Sequence, residues 1–341
     1  MQMNEALASL AAGQDLGRDQ TRSVFDTIMG GEATPAQIAG VLVGLKAKGE
    51  TVDEITGAVE AMRAVSTKVD VDVPNLVDTC GTGGSGAAKR FNISTAAAFV
   101  TAAAGAHVAK HGNRGASSLS GSADVLEAAG ANLELEPDDV GRCIREVGVG
   151  FLFAVRHHAA MRFAGPVRRE LGMGTIFNLL GPLTNPAGAK RQVLGVFAAD
   201  WQRPLAEVAD ALGSERVLVV HSDGLDELSI QGPSMIVELD SGSVETYEVT
   251  PSDFGLREQA MDGLRADTPG QSLKLIRGAL NASNEAASDI VALNAGAAIY
   301  ASGIATTLAN GVVLAQDLIA SGQASEKFKE FVDLTQMMGE V

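Results

Sequence analysis

The sequence predicts an α/β protein in two parts, a small all-helical N-terminal domain over residues 1–70 and a larger α/β domain with a mostly parallel central sheet over residues 71–341. Two patterns predict this division. Helix-start signals and helical apolar spacing fill the first part, whereas short apolar runs alternate with helix-like stretches from Val73 onward. A length of 341 residues also suits about two domains.

The N-terminal part contains two marked helix starts. Thr34 and Thr51 are each followed three positions later by Gln37 or Glu54, which is the spacing of a capping box. Pro35 occupies a first helical position, where its missing N–H is not needed. Apolar residues then recur at three- and four-residue spacing at Ile38, Val41, Leu42 and Leu45. We therefore expect a unit of packed helices.

Short apolar runs after Val73 predict the sheet. They lie at residues 76–77, 106–108, 193–197 and 217–220, with helix-like stretches at 96–104 and 205–212 between them. This alternation is typical of parallel strands. Residues 235–249 instead predict a hairpin, because a turn sequence at 240–243 joins two alternating segments. Beyond Gln271 the chain is rich in Ala and Leu, and we expect it to be mostly helical.

Composition excludes several classes of protein. The net charge of −16 makes nucleic acid and anionic membranes unfavourable partners. The longest weakly polar run, residues 93–109, is interrupted by Ser, Thr, Gly and His, so we expect no membrane span. The N-terminus does not resemble a secretory signal, which favours a cytoplasmic location. Cys80 and Cys143 are the only cysteines, which excludes a disulfide framework.

Two windows of this acidic chain are basic. Residues 79–123 contain no Asp or Glu but four Lys and Arg residues, and residues 147–199 contain six Lys and Arg residues against Glu170 alone. Such windows favour a small anionic ligand. A buried segment that is rich in Ala and Gly and has few charges of either sign is the alternative interpretation.

A glycine-rich run, residues 81–86, follows the first predicted strand. Glycines there let backbone N–H groups approach an anion, which predicts phosphate binding. The run also matches G-x-G-x-x-G, but the acid that a dinucleotide site needs after the next strand is replaced by Lys110 and His111. No G-x-x-x-x-G-K-[ST] run indicates a triphosphate loop. A tight turn that needs glycine for its geometry alone stays open.

Two polar runs follow other predicted strands. KHGNRGASS at 110–118 offers two cations, an amide and two hydroxyls, which suits a phosphorylated sugar. GLDE at 224–227 contains the adjacent carboxylates Asp226 and Glu227, and Mg²⁺ prefers oxygen ligands of this kind. Ligands of open α/β sheets bind at the carboxyl ends of strands. The alternative for residues 110–118 is a solvated surface loop, and the alternative for residues 224–227 is an exposed acidic turn.

Motifs along nearly the whole chain resemble the anthranilate phosphoribosyltransferase family. They are DTCGTGG at 78–84, FNIST at 91–95, KHGNR at 110–114, FLFA at 151–154, TIFNLLGPLTNP at 175–186 and GLDE at 224–227. The resemblance implies a fold like that of nucleoside phosphorylases and phosphoribosyltransferases, in which helices from about residues 165–190 join the helical domain. It also implies a homodimer through that domain, and a cleft where 5-phosphoribosyl 1-diphosphate reacts with the amine of anthranilate in tryptophan biosynthesis.

The resemblance also assigns site residues. Those implied to hold the phosphoribosyl diphosphate are Gly81, Gly84, Ser85, Asn92, Ser94, Thr95, Lys110, Asn113, Arg114, Gly115, Ala116, Ser117, Ser118 and Ser122. Those implied to meet anthranilate are Gly81, His111, Asn113, His158, Arg168, Gly181 and Pro182. Ser94, Asp226 and Glu227 would hold Mg²⁺. Lys110 would stabilise charge on the diphosphate, Arg168 would lie near the anthranilate carboxylate, and His111 or His158 would accept the amine proton.

Several positions depart from the family pattern. Ser85 stands where an aspartate is usual, the stretch 84–92 is one residue longer, and Arg90 replaces Thr or Ser. Val155, Ala159 and Gly174 replace Pro, Pro and Arg on the acceptor side. Two alternatives therefore stay open. One is a relative of pyrimidine-nucleoside phosphorylases, which the KHGNR and GLDE runs fit poorly. The other is a paralogue that binds the phosphoribosyl diphosphate without catalysing transfer.

Overall fold

A computed structural model describes residues 1–83, 86, 90–115 and 120–339. The helices are α1 (Met3–Ala11), α2 (Arg18–Met29), α3 (Pro35–Lys48), α4 (Val52–Val65), α5 (Ile93–Ala103), α6 (Ser122–Ala128), α7 (Pro137–Val147), α8 (Ala154–His157), α9 (Met161–Leu171), α10 (Phe177–Leu180), α11 (Gln202–Ala211), α12 (Pro269–Leu280), α13 (Glu285–Ser302), α14 (Leu308–Ala320) and α15 (Gln323–Met338). The strands are β1 (Leu76–Gly81), β2 (His107–Gly112), β3 (Val149–Phe153), β4 (Arg191–Gly195), β5 (Arg216–His221), β6 (Ser234–Asp240) and β7 (Ser243–Val249). Within these ranges, none of the helices combines the length and the apolar character needed to cross a bilayer.

The N-terminal helices begin where the capping boxes predict. The Thr34 and Thr51 hydroxyls accept hydrogen bonds from the backbone N–H groups of Gln37 and Glu54, respectively, and both distances are 3.3 Å. The predicted apolar stripe of α3 is buried: Ile38, Val41, Leu42 and Leu45 expose 2% or less of their surface. Both helix starts and the packed helical unit are therefore confirmed.

Seven strands form one sheet in the order β3-β2-β1-β4-β5-β6-β7. The first five in that order are parallel, and β6 and β7 pair antiparallel as the predicted hairpin. This confirms the mostly parallel sheet. β3 is not among the predicted strands. Its sequence, VGFLF, is buried on both faces and so lacks the alternation that marks a half-exposed strand.

Helices cover both faces of the sheet. Alternate residues of β5 point to opposite faces, so Leu218 and Val220 pack with α5 and α12–α15, while Val217 and Val219 pack with α11 and the N-terminal helices. Helices α9 and α10 lie near the middle of the chain, far in sequence from the N-terminal helices, yet they contact α2, α3 and α4. The division of the chain at residue 70 stays a prediction.

The parallel strands bring their carboxyl ends to one edge of the sheet. β1, β2 and β4 end in Gly81, Gly112 and Gly195, and β5 ends at His221. The loop that follows β5 crosses this edge, and a Cβ atom on Gly195 would lie 1.7 Å from the backbone oxygen of Asp226. The strand-end glycine therefore lets the Asp226 segment lie directly against β4.

Candidate active site

A cleft of about 860 Å³ opens at this edge, between the sheet and helices α8–α10. Most of the predicted site residues line it. From the sheet side these are Gly81, Asn92, Ser94, Lys110, His111, Asn113, Arg114, Gly115, Ser122, Asp226 and Glu227, and from the opposite side His158, Arg168, Gly181 and Pro182. The fold thus brings residues from six separated motifs to one cavity.

The two carboxylates of the GLDE run are held by backbone N–H groups. Asp226 Oδ2 accepts a hydrogen bond from Gly83 N at 3.0 Å. Glu227 Oε1 accepts one from Ser94 N at 3.2 Å, in the first turn of α5. A helix N-terminus favours a negative charge. Gly81 also permits this approach, since a Cβ there would lie 2.6 Å from Asp226 Oδ2.

The pKa of Glu227 is raised to about 8, first by burial and then by the negative charge of the neighbouring Asp226. The ammonium group of Lys110 lies nearby and acts in the opposite direction; its Nζ donates to the backbone oxygen of Thr79 and, at 3.3 Å, to Ser94 Oγ. Two adjacent, half-buried carboxylates beside a serine hydroxyl form an all-oxygen donor set. A divalent cation such as Mg²⁺ fits this set, because it relieves the repulsion between the carboxylates.

A second group of side chains of the kinds that bind metal ions lies on β1 and β2. Asp78, Cys80 and His111 place one ligand-type atom each within 4.8 Å of one another. Both Asp78 oxygens already accept hydrogen bonds, from His111 N and from Asn185 Nδ2, and both His111 ring nitrogens are engaged. Burial raises the pKa of the Cys80 thiol far above its usual range. This group therefore suits a structural role better than metal binding.

His111 and His158 meet across the cleft. Their Nε2 atoms are 3.2 Å apart, and His111 Nδ1 lies 3.1 Å from the backbone oxygen of Gly181. Because a carbonyl only accepts, we assign the proton of His111 to Nδ1. His158 then donates from Nε2, which leaves its Nδ1 as the open acceptor. Burial lowers the pKa of His158 to about 4 and that of His111 well below its usual range, so both rings are neutral at pH 7.

Arg168 presents a half-buried guanidinium to the cleft. Its Cζ lies over the Phe177 ring, 5.1 Å from the ring centre, which is a cation–π contact. Among the residues that the structure describes, no carboxylate lies within 4.0 Å of it. A cation that is desolvated without a protein counter-ion favours an anionic ligand.

The predicted phosphoribosyl side is formed by polar contacts between loops. Asn92 Oδ1 accepts hydrogen bonds from Ser272 Oγ at 2.7 Å and Ser120 Oγ at 3.2 Å. Asn113 Oδ1 accepts one from Arg114 N at 2.8 Å, and the backbone oxygen of Asn113 accepts one from Ser122 Oγ at 3.3 Å. These contacts fix the walls of this part of the cleft.

Three residues that the sequence assigns to this side either make contacts within the protein or lie away from the cleft. The Arg114 guanidinium is already paired with Glu127, at 2.7 Å for the NH2–Oε1 contact. Gly115 donates its N–H to Asp124 Oδ2 at 2.9 Å. Thr95 is buried and does not line the cleft, and its hydroxyl has no hydrogen-bond partner among the described atoms.

Several predicted residues lie outside the described part of the chain: Gly84, Ser85, Ala116, Ser117 and Ser118. Sequence analysis in turn did not assign Asp78, Gly83 or Gly195, although Asp78 could have been found as an acid inside an apolar strand. The closeness of Gly195 to Asp226 has no local signal, because 31 positions separate the two residues in sequence.

Models of two protein-family domains match the chain. Residues 4–66 match the helical bundle domain of a glycosyl transferase family, and residues 73–325 match the a/b domain of that family. Together they span most of the chain.

Curated proteins and solved structures agree with these matches. The anthranilate phosphoribosyltransferases of Teredinibacter turnerae and Saccharophagus degradans are both 55% identical to the chain, over 98% of it and 99% of their own length. The crystal structure of the Thermus thermophilus enzyme is 44% identical and superposes with a TM-score of 0.92 over 97% of this chain and 99% of that one. The Saccharomyces cerevisiae enzyme in complex with PRPP and Mg shares the fold, at 23% identity and a TM-score of 0.89 over 98% of each chain.

The low pKa of His158 makes the stability of the protein depend on pH. In the unfolded chain the ring binds a proton near pH 6.5, but in the folded protein only near pH 4, so its contribution is present above pH 6.5 and is lost as the pH falls toward 4. Replacing His158 with Gln should reduce the loss of unfolding free energy between pH 7 and pH 4 by on the order of 3 kcal/mol. Urea unfolding of both proteins at several pH values measures this; equal pH slopes would contradict the burial of a neutral ring.

Proposed function

The chain belongs to the anthranilate phosphoribosyltransferase family, and we propose from this membership which of its residues bind each reactant and the metal ion. The enzyme transfers the 5-phosphoribosyl group from 5-phosphoribosyl 1-diphosphate (PRPP) to the amine of anthranilate and releases diphosphate, in tryptophan biosynthesis. One observation supports the assignment best. A carboxylate pair, a buried lysine and Arg168, which has no carboxylate partner among the described residues, all line one cleft.

Ser94, Asp226 and Glu227 hold Mg²⁺ in this proposal. Their all-oxygen donor set and the adjacency of two half-buried carboxylates support it, and so does the yeast relative that was solved with PRPP and Mg. When bound, the ion neutralises the negative charge that develops on the leaving diphosphate. The backbone N–H groups of Gly83 and Ser94 keep the two carboxylates in position for this ion.

Lys110 stabilises the diphosphate side of the cleft. Its ammonium is buried and is oriented by the Thr79 backbone oxygen and Ser94 Oγ, so its position changes little as charge develops. Preorganised charge of this kind is the largest contribution that such sites make to catalysis. The remaining wall for the phosphoribosyl group is formed by Gly81 at the end of β1 and Asn113 just after β2, with Asn92, Gly115 and Ser122. Gly84, Ser85, Thr95, Arg114, Ala116, Ser117 and Ser118 stay with this group as predictions.

Arg168 binds the carboxylate of anthranilate, and the ring lies between it and the turn of Gly181 and Pro182. The half-buried guanidinium stacked on Phe177 supports this assignment, as does a yeast relative solved with 4-fluoroanthranilate. Thr184 Oγ1 and His111 both bond the Gly181 backbone oxygen, at 2.9 Å and 3.1 Å, which orients the turn. The turn is therefore held in one orientation by contacts within the protein.

The amine of anthranilate attacks C1 of the ribose while the bond from C1 to the diphosphate breaks, and the amine then gives up a proton. His111 and His158 are neutral at pH 7, so either ring is able to accept that proton. The lone pair of His111 Nε2 is already occupied by His158. Proton transfer to His158 Nδ1 therefore requires no rearrangement of the pair, whereas transfer to His111 requires its separation.

We also propose a cytoplasmic homodimer that forms through the helical domain, divided from the α/β domain near residue 70. The family resemblance supports these assignments, and Val43 on α3 exposes 40% of its apolar surface on the helical unit.

Substitution of Arg168 by Ala tests the acceptor assignment. We expect KM for anthranilate to rise about 10- to 100-fold, because a charge-assisted hydrogen bond is lost, while KM for PRPP changes less than about twofold. Steady-state kinetics that follow the fluorescence of anthranilate measure both constants. Arg142→Ala, which removes an arginine from an exposed pair with Glu146, is the matched control. Equal increases in both KM values would contradict this role of Arg168.

The double substitution Asp226→Asn/Glu227→Gln tests the metal assignment. We expect Mg²⁺-dependent turnover to fall about 100-fold or more, since both anionic ligands are lost. The thermal midpoint should stay equal or rise, because the repulsion between two adjacent carboxylates disappears. Turnover with Mg²⁺ and with EDTA, together with thermal unfolding, distinguishes these effects. Unchanged Mg²⁺-dependent turnover would contradict the assignment.

A further inference from the structure

Helix α13 contains one polar side chain in the middle of an apolar stretch. Residues 290–299 are otherwise Ile, Val, Ala, Leu and Gly, yet position 294 is Asn. Asn294 exposes only 3% of its surface. Asn is a poor helix former, and a buried amide is unfavourable unless it is fully hydrogen-bonded. Packing of the helix against the sheet therefore gives no reason for this residue.

The amide of Asn294 binds the backbone of the residue that follows the carboxylate pair. Asn294 Oδ1 accepts from Leu228 N at 2.9 Å, and Asn294 Nδ2 donates to the Leu228 oxygen at 2.9 Å. The second proton of Nδ2 bonds the oxygen of Ile290 one turn earlier, also at 2.9 Å. One side chain thus satisfies both polar groups of Leu228 and is itself held in place by its own helix.

Leu228 follows Glu227 directly, so this contact fixes one end of the carboxylate segment. The other contact comes from Ser222, whose Oγ donates to the Glu227 backbone oxygen at 2.8 Å. Asn294 and Glu227 also line the same small cavity, together with Ser94 and Thr79. The amide therefore lies directly behind the proposed metal ligands and not at a distant point of the fold.

We propose that Asn294 is a positioning residue that sets the Asp226 and Glu227 carboxylates for the metal ion by anchoring the backbone of Leu228. The inference rests on the metal assignment made above. Residues that orient metal ligands from behind affect metal affinity without touching the ion. Loss of the anchor lets the loop move away from Gly81 and Gly195, against which Asp226 is packed.

Asn294→Leu removes the three hydrogen bonds and places an apolar, helix-favouring side chain at the buried position. Isothermal titration calorimetry of PRPP binding, once with Mg²⁺ and once with EDTA, gives the factor by which Mg²⁺ strengthens binding. We expect this factor to fall about 10-fold or more in the variant. The Kd of PRPP in EDTA and KM for anthranilate at saturating Mg²⁺ should stay within about twofold of the parent values.

Gln202→Leu is the matched control. Gln202 is a buried amide on α11, against the opposite face of the sheet, and it donates to the backbone oxygens of Val219 at 2.8 Å and Met235 at 2.7 Å. Gln202→Leu therefore removes a comparable set of hydrogen bonds from a buried amide to the backbone, and this set does not involve Leu228. We expect it to lower thermal stability and to leave the Mg²⁺ factor unchanged. If Asn294→Leu does not fold, Asn294→Ala replaces it.

Hydrogen exchange gives a readout that needs no metal. The Leu228 amide should exchange about five- to tenfold faster in the Asn294 variant than in the parent, because its acceptor is lost. Unchanged exchange would overturn the anchor, and faster exchange with an unchanged Mg²⁺ factor would overturn the positioning role. A parent protein whose PRPP binding does not respond to Mg²⁺ would overturn the metal assignment, and this inference with it.

Discussion

The placement of two adjacent, half-buried carboxylates at the carboxyl edge of the sheet is the constraint on which the cleft depends. Asp226 and Glu227 repel each other, and burial raises the pKa of Glu227 to about 8. The fold compensates this repulsion with backbone N–H groups of Gly83 and Ser94 and with the ammonium of Lys110. Strand-end glycines let the segment lie this close. Fixed groups of both charges at one place favour a cation and an anionic ligand between them.

The two sides of the cleft supply different functional groups. The sheet side supplies the carboxylates, Lys110 and the loop walls, and these come from the ends of parallel strands that the topology brings together. Helices α8–α10 supply His158 and Arg168 from the opposite side. Since α9 and α10 pack on the N-terminal helices, the residues proposed to bind anthranilate are attached to the helical unit. The orientation of that unit relative to the sheet therefore sets the distance between the proposed sites of the two substrates.

The sequence was sufficient to predict what local chemistry determines. Capping at Thr34 and Thr51, the parallel strands and the hairpin follow from spacing and turn residues, and the motif residues Ser94, Lys110 and Glu227 do meet in one place. Contacts between distant positions could not be predicted: Asn294 binds Leu228 across 66 positions. The pairing of Arg114 with Glu127 and the proton positions on the two histidines also depend on tertiary geometry, which no spacing encodes.

In the proposed arrangement the cleft's carboxylate pair, and not the deeper group of Asp78, Cys80 and His111, binds the divalent cation together with PRPP. Crystals grown with PRPP and Mn²⁺ and measured at the manganese absorption edge test this most directly. We expect an anomalous peak within coordination distance of the Asp226 or Glu227 carboxylate, next to density for the diphosphate. A peak at Asp78 and His111, or diphosphate bound in the cleft without any peak beside the pair, would contradict it.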